Sequence, residues 1–118
     1  MIKIIGLGNP GFLYKNTKHN IGHLFVDYCI KNGFLGYKTQ SFMNKSGKGV
    51  KKISLKHNID IFDKNTYIVC DHLDKQIGKW QLKRQGSHNG NNGIRSIINE
   101  YKKNQFNRIL IGIDRPNS

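Results

Sequence analysis

Residues 2–20 read IKIIGLGNPGFLYKNTKHN, and the stretch from Ile2 to Asn20 decides how the rest of the chain is read. Ile2, Ile4 and Ile5 make a short apolar run of the kind that forms a buried strand. It leads directly into Gly6-Leu7-Gly8-Asn9-Pro10-Gly11, where three glycines and a proline exclude helix and let the backbone approach something closely. A dinucleotide site built on this GxGxxG would also need a helix opening at Gly11, so that its first amides meet a pyrophosphate. Phe12 to Lys18 carries no helical stripe, and the first helix is expected only after Asn20 as N-cap, with Ile21, Leu24, Phe25, Tyr28 and Cys29 at helical spacing. Asp27 then falls inside that helix and not at a strand end, so the dinucleotide reading is set aside. What remains is a strand, a turn carrying Asn9, and His19 delivered to the same end of the sheet.

The 118 residues form one domain, 1–118, with a single core. No apolar run reaches the ~20 residues of a membrane helix, and a strand entered at the second residue leaves no space for a targeting segment, which points to the compartment of synthesis, the cytoplasm or an organelle that encodes the chain. Cys29 and Cys70 sit in apolar stretches without paired spacing and read as buried free thiols of a reducing compartment. A net charge of +13 permits a phosphate-rich partner. The absence of alanine beside abundant lysine, isoleucine and asparagine, however, has the look of A+T-rich coding, so part of the lysine excess is simply solvated.

Further along, Asn32-Gly33 stops the first helix and Phe34 to Gln40 reads as a short connection. Ser46 is expected to cap a helix to about His57 with a partial stripe of Val50, Ile53 and Leu55. Asn58 to Asn65 is loop, and Thr66-Tyr67-Ile68-Val69-Cys70 suits a central strand ending at Asp71. Lys79 to Lys83 alternates as an edge strand or hairpin arm. Asn92 or Gly93 opens a third helix with Ile94, Ile97, Ile98 and Tyr101 on one face, and Ile109, Ile111 and Ile113 alternate along a last strand. This order predicts an α/β fold, a mixed sheet flanked by helices as an α/β/α sandwich, with its ligand crevice at the carboxyl ends of the strands. Asn9 and Asp71 share that edge.

Four ordered segments resemble the bacterial-type peptidyl-tRNA hydrolase family. They are Gly6 to Gly11 with Tyr14 and Thr17-Lys18-His19-Asn20, then Ser41-Phe42-Met43-Asn44-Lys45-Ser46-Gly47, then Asp71-His72-Leu73-Asp74 with Gly78-Lys79, and Gly86 to Gly93. Phe106-Asn107-Arg108 to Arg115-Pro116 is similar to the closing strand of the family. The resemblance implies hydrolysis of the ester between peptide and tRNA by a monomer without cofactor or metal. His19 would be general base, apt because imidazole titrates near ~6.5. Asp71 would orient it, as the carboxylate of a hydrolase triad does, with water in place of serine. Asn92 would position the water or the developing oxyanion, and Asn9 and Asn44 would meet the substrate backbone, since a carboxamide both donates and accepts without charge. Met43 would be a soft wall for the peptide, with Tyr14 nearby. Lys83 would meet a tRNA phosphate, with Arg108 and also Lys79, Arg84 and Arg95 as helpers.

Bland readings compete with each role: asparagine is commonly a turn residue, methionine core packing, and a strand-end aspartate a cap. Their co-occurrence in the motifs outweighs those readings. His19 and His23, four apart, match a zinc spacing, but no HExxH glutamate accompanies them. The chain departs from the resembled pattern at Leu110 in place of a second basic clamp, at Asn91 in place of a histidine, and at Lys18 in place of an arginine. Most of a strand-containing insertion at 34–40 is gone, so a narrower sheet is expected, and the chain ends where a helical lid would follow. The alternative is a non-catalytic RNA-binding protein of the same fold, for which a base and its orienter would have no use.

Overall fold

The computed structural model describes residues 1–9, 20–72, 75–77, 79–88 and 90–113. Tyr14, His19, Leu73, Asp74, Gly78 and Arg115-Pro116 lie outside them, as does Gly11, where a dinucleotide-binding helix would have to open. Strands β1 (Lys3–Gly6), β2 (Leu35–Lys38), β3 (Thr66–His72), β4 (Trp80–Lys83) and β5 (Asn107–Gly112) form one mixed sheet in the order β2-β1-β3-β5-β4. The pairings β1 with β2, β1 with β3, and β3 with β5 are parallel, while β4 closes the edge antiparallel to β5. Of the two readings left open for Lys79 to Lys83, the edge strand is the observed one; β5 lies between β4 and β3. Phe34 to Gln40, expected as a connection, contains β2. Four residues including Gly36 and Lys38 carry too little apolar signal to announce a strand.

Helices cover both faces. α1 (Ile21–Lys31) lies on one, α2 (Ser46–His57) and α3 (Asn92–Tyr101) on the other. Because successive strand residues point to opposite faces, Ile4 and Val69 join Val26 and Cys29 of α1, while Ile5, Ile68, Cys70 and Leu110 join Val50, Ile94 and Ile97. Strands buried on both faces need continuous apolar runs, which β3 supplies. Both cysteines are buried and free, and burial pushes both thiols up from their ordinary range.

The buried stripes of α1 and α2 differ from the expected ones. In α1 the inward positions are Gly22, Val26 and Cys29, and Tyr28 is exposed. A β-carbon at Gly22 would stand 2.5 Å from the carbonyl oxygen of Leu7 and 2.7 Å from that of Val69, so glycine is what lets α1 lie against the strands. In α2 the inward residues are Ser46, Gly47, Gly49 and Val50, while Leu55 is exposed. Gly47 donates its N–H to Ser96 Oγ on α3 (2.8 Å). Ser46 is not a cap: its hydroxyl donates to the Met43 carbonyl (2.7 Å) and closes the 3-10 turn Met43–Lys45. α3 presents the expected face, with Ile94 and Ile97 buried.

Candidate active site

The carboxyl ends of β1 and β3 bring the site together. Beyond β1, Leu7 extends the ladder by donating to the Val69 carbonyl (2.9 Å), which carries Gly8 and Asn9 to the level of the end of β3. Asn9 is then gripped by Asn20, whose Oδ1 accepts from the Asn9 N–H and whose Nδ2 donates to the Asn9 carbonyl, both at 2.8 Å. Asn20 is only 2% exposed and makes no side-chain cap on α1. Asn20 stands at the expected N-cap position of α1, but its carboxamide copies a strand partner for Asn9 instead of capping the helix.

Asn9 in turn accepts the Met43 N–H on its Oδ1 (2.7 Å), so the amide group is the part of its side chain left for a ligand. Met43 packs against the larger core cluster, and a β-carbon at Gly93 would stand 2.7 Å from its Sδ. Methionine is thus both core packing and the lining between the 3-10 turn and the start of α3. Asn44 follows it in that turn, exposed, and Asn92 is the exposed first residue of α3. Asp71, 7% exposed, lies one residue from the end of β3. Its neighbour is Asn91, whose Nδ2 donates to both Asp71 Oδ1 (3.0 Å) and the Asp71 carbonyl (2.9 Å).

Asn9, Met43, Asn44, Asp71 and Asn92 therefore share one edge, linked through Asn20 and Asn91, two residues for which the sequence offered no role in the chemistry. His19 and Tyr14 lie outside the described residues, directly before Asn20. His23 is half-buried in the first turn of α1, its ring against Gly8. Burial first, then the charge of Lys38, holds its pKa below the ordinary histidine range, while a Thr39 backbone hydrogen bond and Asp27 pull the other way. The imidazole is enclosed, and among the described residues its Nε2 has no partner. Among the described residues no group of three or more histidine, cysteine, aspartate or glutamate side chains is placed to hold a metal ion.

Lys83 and Arg108 stand elsewhere and differ from each other. They pair across β4 and β5, whereas Asp71 is level with Ile111 and Trp80. Three residues along the strand and two strands across place Lys83 roughly 14 Å from Asp71. The Lys83 side chain lies over Gly86, where a β-carbon would meet its Cε at 2.7 Å. Arg108, expected as a phosphate contact, is 1% exposed. Its guanidinium donates to the carbonyls of Ser87 (2.9 Å), Gly86 (2.9 Å) and Asn104 (2.5 Å) and lies over the Phe106 ring. That expectation is corrected: a buried guanidinium with its donors on carbonyls fastens the loop under Lys83 and does not face solvent. Leu110, at the second clamp position, is likewise in the core.

A sequence profile described as peptidyl-tRNA hydrolase matches residues 3–36 and 30–118, two pieces that overlap at 30–36, from the end of α1 into β2. The fold is similar to the crystal structure of peptidyl-tRNA hydrolase from Acinetobacter baumannii, with TM-score 0.86 and 30% identity over 100% of this chain and 70% of that one. A complex of peptidyl-tRNA hydrolase with N-propanol gives 0.86 and 31% over the same shares. A point mutant of the Acinetobacter baumannii enzyme gives 0.86 and 29%, again with 100% and 70% covered. With the profile spanning most of the sequence and the strand-end asparagines and aspartate gathered at one edge, the chain belongs to the peptidyl-tRNA hydrolase family.

Proposed function

We propose that this chain, a monomer of the cytoplasm, hydrolyses the ester joining a peptide to the terminal ribose of tRNA, with His19 as general base and Asp71 as its orienter. Family membership supports the reaction class. The observation that carries the site assignment is a buried carboxylate at the end of β3, hydrogen-bonded by a carboxamide and adjoining a wall of asparagine and methionine. Water attacks the ester carbonyl carbon while His19 takes its proton; the C–O bond to the ribose then breaks and the imidazolium returns a proton to the leaving hydroxyl. Asp71 accepts from the far ring nitrogen, fixing the tautomer and stabilising the positive ring. Asn92, exposed at the first position of α3, is the donor for the developing oxyanion, where one neutral hydrogen bond is worth several kcal/mol in the transition state. Asn9, Asn44, Met43 and Tyr14 hold the peptide.

The tRNA backbone runs toward Lys83. A charge roughly 14 Å from the carboxylate reaches a phosphate some nucleotides away from the ester, and contacts to phosphate carry no sequence information, as suits an enzyme accepting many tRNAs. The test is steady-state hydrolysis of N-acetylaminoacyl-tRNA by wild type and Asp71→Asn. The substitution is expected to lower kcat ~100-fold or more, with KM little changed, because it costs the ring its orientation and not the substrate its contacts. Equal kcat values would remove Asp71 from the mechanism.

A further inference from the structure

Every polar group of Asn91 is engaged. Its N–H donates to the His88 carbonyl (2.9 Å), and its own carbonyl accepts from Arg95 (3.0 Å). Its Oδ1 accepts from the Ile94 N–H (2.9 Å) and caps α3, while Nδ2 serves Asp71 twice, at the main-chain oxygen and at carboxylate Oδ1. The helix fixes which end of the carboxamide is which. Oxygen must face the Ile94 donor, so nitrogen must face Asp71. One side chain thereby ties the first turn of α3, which carries Asn92, to the carboxylate on β3.

We propose that Asn91 is a positioning residue for hydrolysis, holding Asp71 Oδ1 so that the second carboxylate oxygen keeps one place for its imidazole partner. The inference rests on the reading of Asp71 as orienter of His19. A charge-assisted hydrogen bond restrains a carboxylate more strongly than a neutral pair would. The second bond, to the main-chain carbonyl of the same residue, stops the carboxamide from following the carboxylate if it rotates. Because Asn92 follows directly, a shift of Asn91 also moves the oxyanion donor relative to the base.

Helix capping alone does not require asparagine here. Serine and aspartate cap as well, but the serine hydroxyl is too short to serve Asp71 while capping, and aspartate presents an acceptor where Asp71 needs a donor. Asn91→Ser and Asn91→Asp are therefore compared with wild type in hydrolysis of N-acetylaminoacyl-tRNA and in thermal unfolding. Expected is a kcat about 10- to 100-fold lower in both, with KM near that of wild type and, for Asn91→Ser, which keeps the cap but strands two Asp71 oxygens, a melting temperature lowered by only about 4–8 °C. In an Asp71→Asn background, Asn91→Ser should cost almost nothing more, since the two act as one unit. Wild-type kcat in both Asn91 variants, or full additivity with Asp71→Asn, overturns the positioning role while leaving the hydrolase reading intact. A wild type that releases nothing overturns that reading, and the inference with it.

Discussion

At the carboxyl end of β3 a buried aspartate receives a side-chain hydrogen bond from Asn91 beside asparagines that face outward; at the amino end of β5 a buried arginine turns both terminal nitrogens onto three main-chain carbonyls. The first arrangement leaves polar groups at the surface, and the second turns them inward. Charge at a strand end therefore does not mark a binding surface by itself. What separates the two ends is where the polar groups around the charge face: Asn44 and Asn92 are exposed beside Asp71, whereas the Arg108 guanidinium is enclosed and turned onto main chain. By that measure the end of β3 fits the site proposed around Asp71, and Arg108 belongs to the scaffold beneath Lys83.

The sharpest way to break this contrast is Arg108→Ala. Removing the guanidinium strands the carbonyls of Gly86, Ser87 and Asn104, and should cost about 3 kcal/mol in denaturant unfolding. A loss below about 1 kcal/mol, together with weaker tRNA binding, would return Arg108 to the RNA face. Lys83→Ala should do the reverse: stability unchanged, KM raised about 3- to 10-fold, and the slope of log affinity against log salt smaller by about one. An unchanged salt slope would mean the tRNA crosses another face.

The smallest effect concerns His23. Its folded pKa lies below the ordinary value, chiefly through burial and then through Lys38, so the folded chain refuses a proton that the unfolded chain accepts below about pH 6.5. Stability should therefore be complete above that pH and decline as pH falls through it. In melts from pH 8 to pH 5, His23→Gln should flatten the decline, and an identical slope would assign it to other groups.

Much of the fold was legible because it rests on periodicity. The apolar run of β3 and the isoleucine face of α3 announce themselves in sequence, and they position Asp71 and Asn92. The inward faces of α1 and α2 did not, because they are built on Gly22, Gly47 and Gly49, whose contribution is close approach and not apolar area. The edge strand β2 was hidden because it is four residues long and only half-buried, with Gly36 and Lys38 interrupting its apolar signal. In the site, asparagine is so frequent that only the motifs singled out Asn9, Asn44 and Asn92. Asn20 and Asn91 differ from these in engaging both ends of the carboxamide, with main chain and with Asp71, a distinction of partners that residue type does not carry. Arg108 misled in the opposite sense: a charged residue in a strand reads as exposed until the carbonyls that satisfy it are seen.

The measurement that bears most directly on the central claim is release of N-acetylaminoacyl groups from tRNA by the purified chain, alongside His19→Ala and with unacetylated aminoacyl-tRNA as the negative substrate. The expected result is release from the blocked substrate alone, lowered ~100- to 10,000-fold in His19→Ala with tRNA affinity nearly unchanged. Tight, salt-sensitive tRNA binding with no release by wild type would contradict it, and would make the chain a binding module on a hydrolase fold.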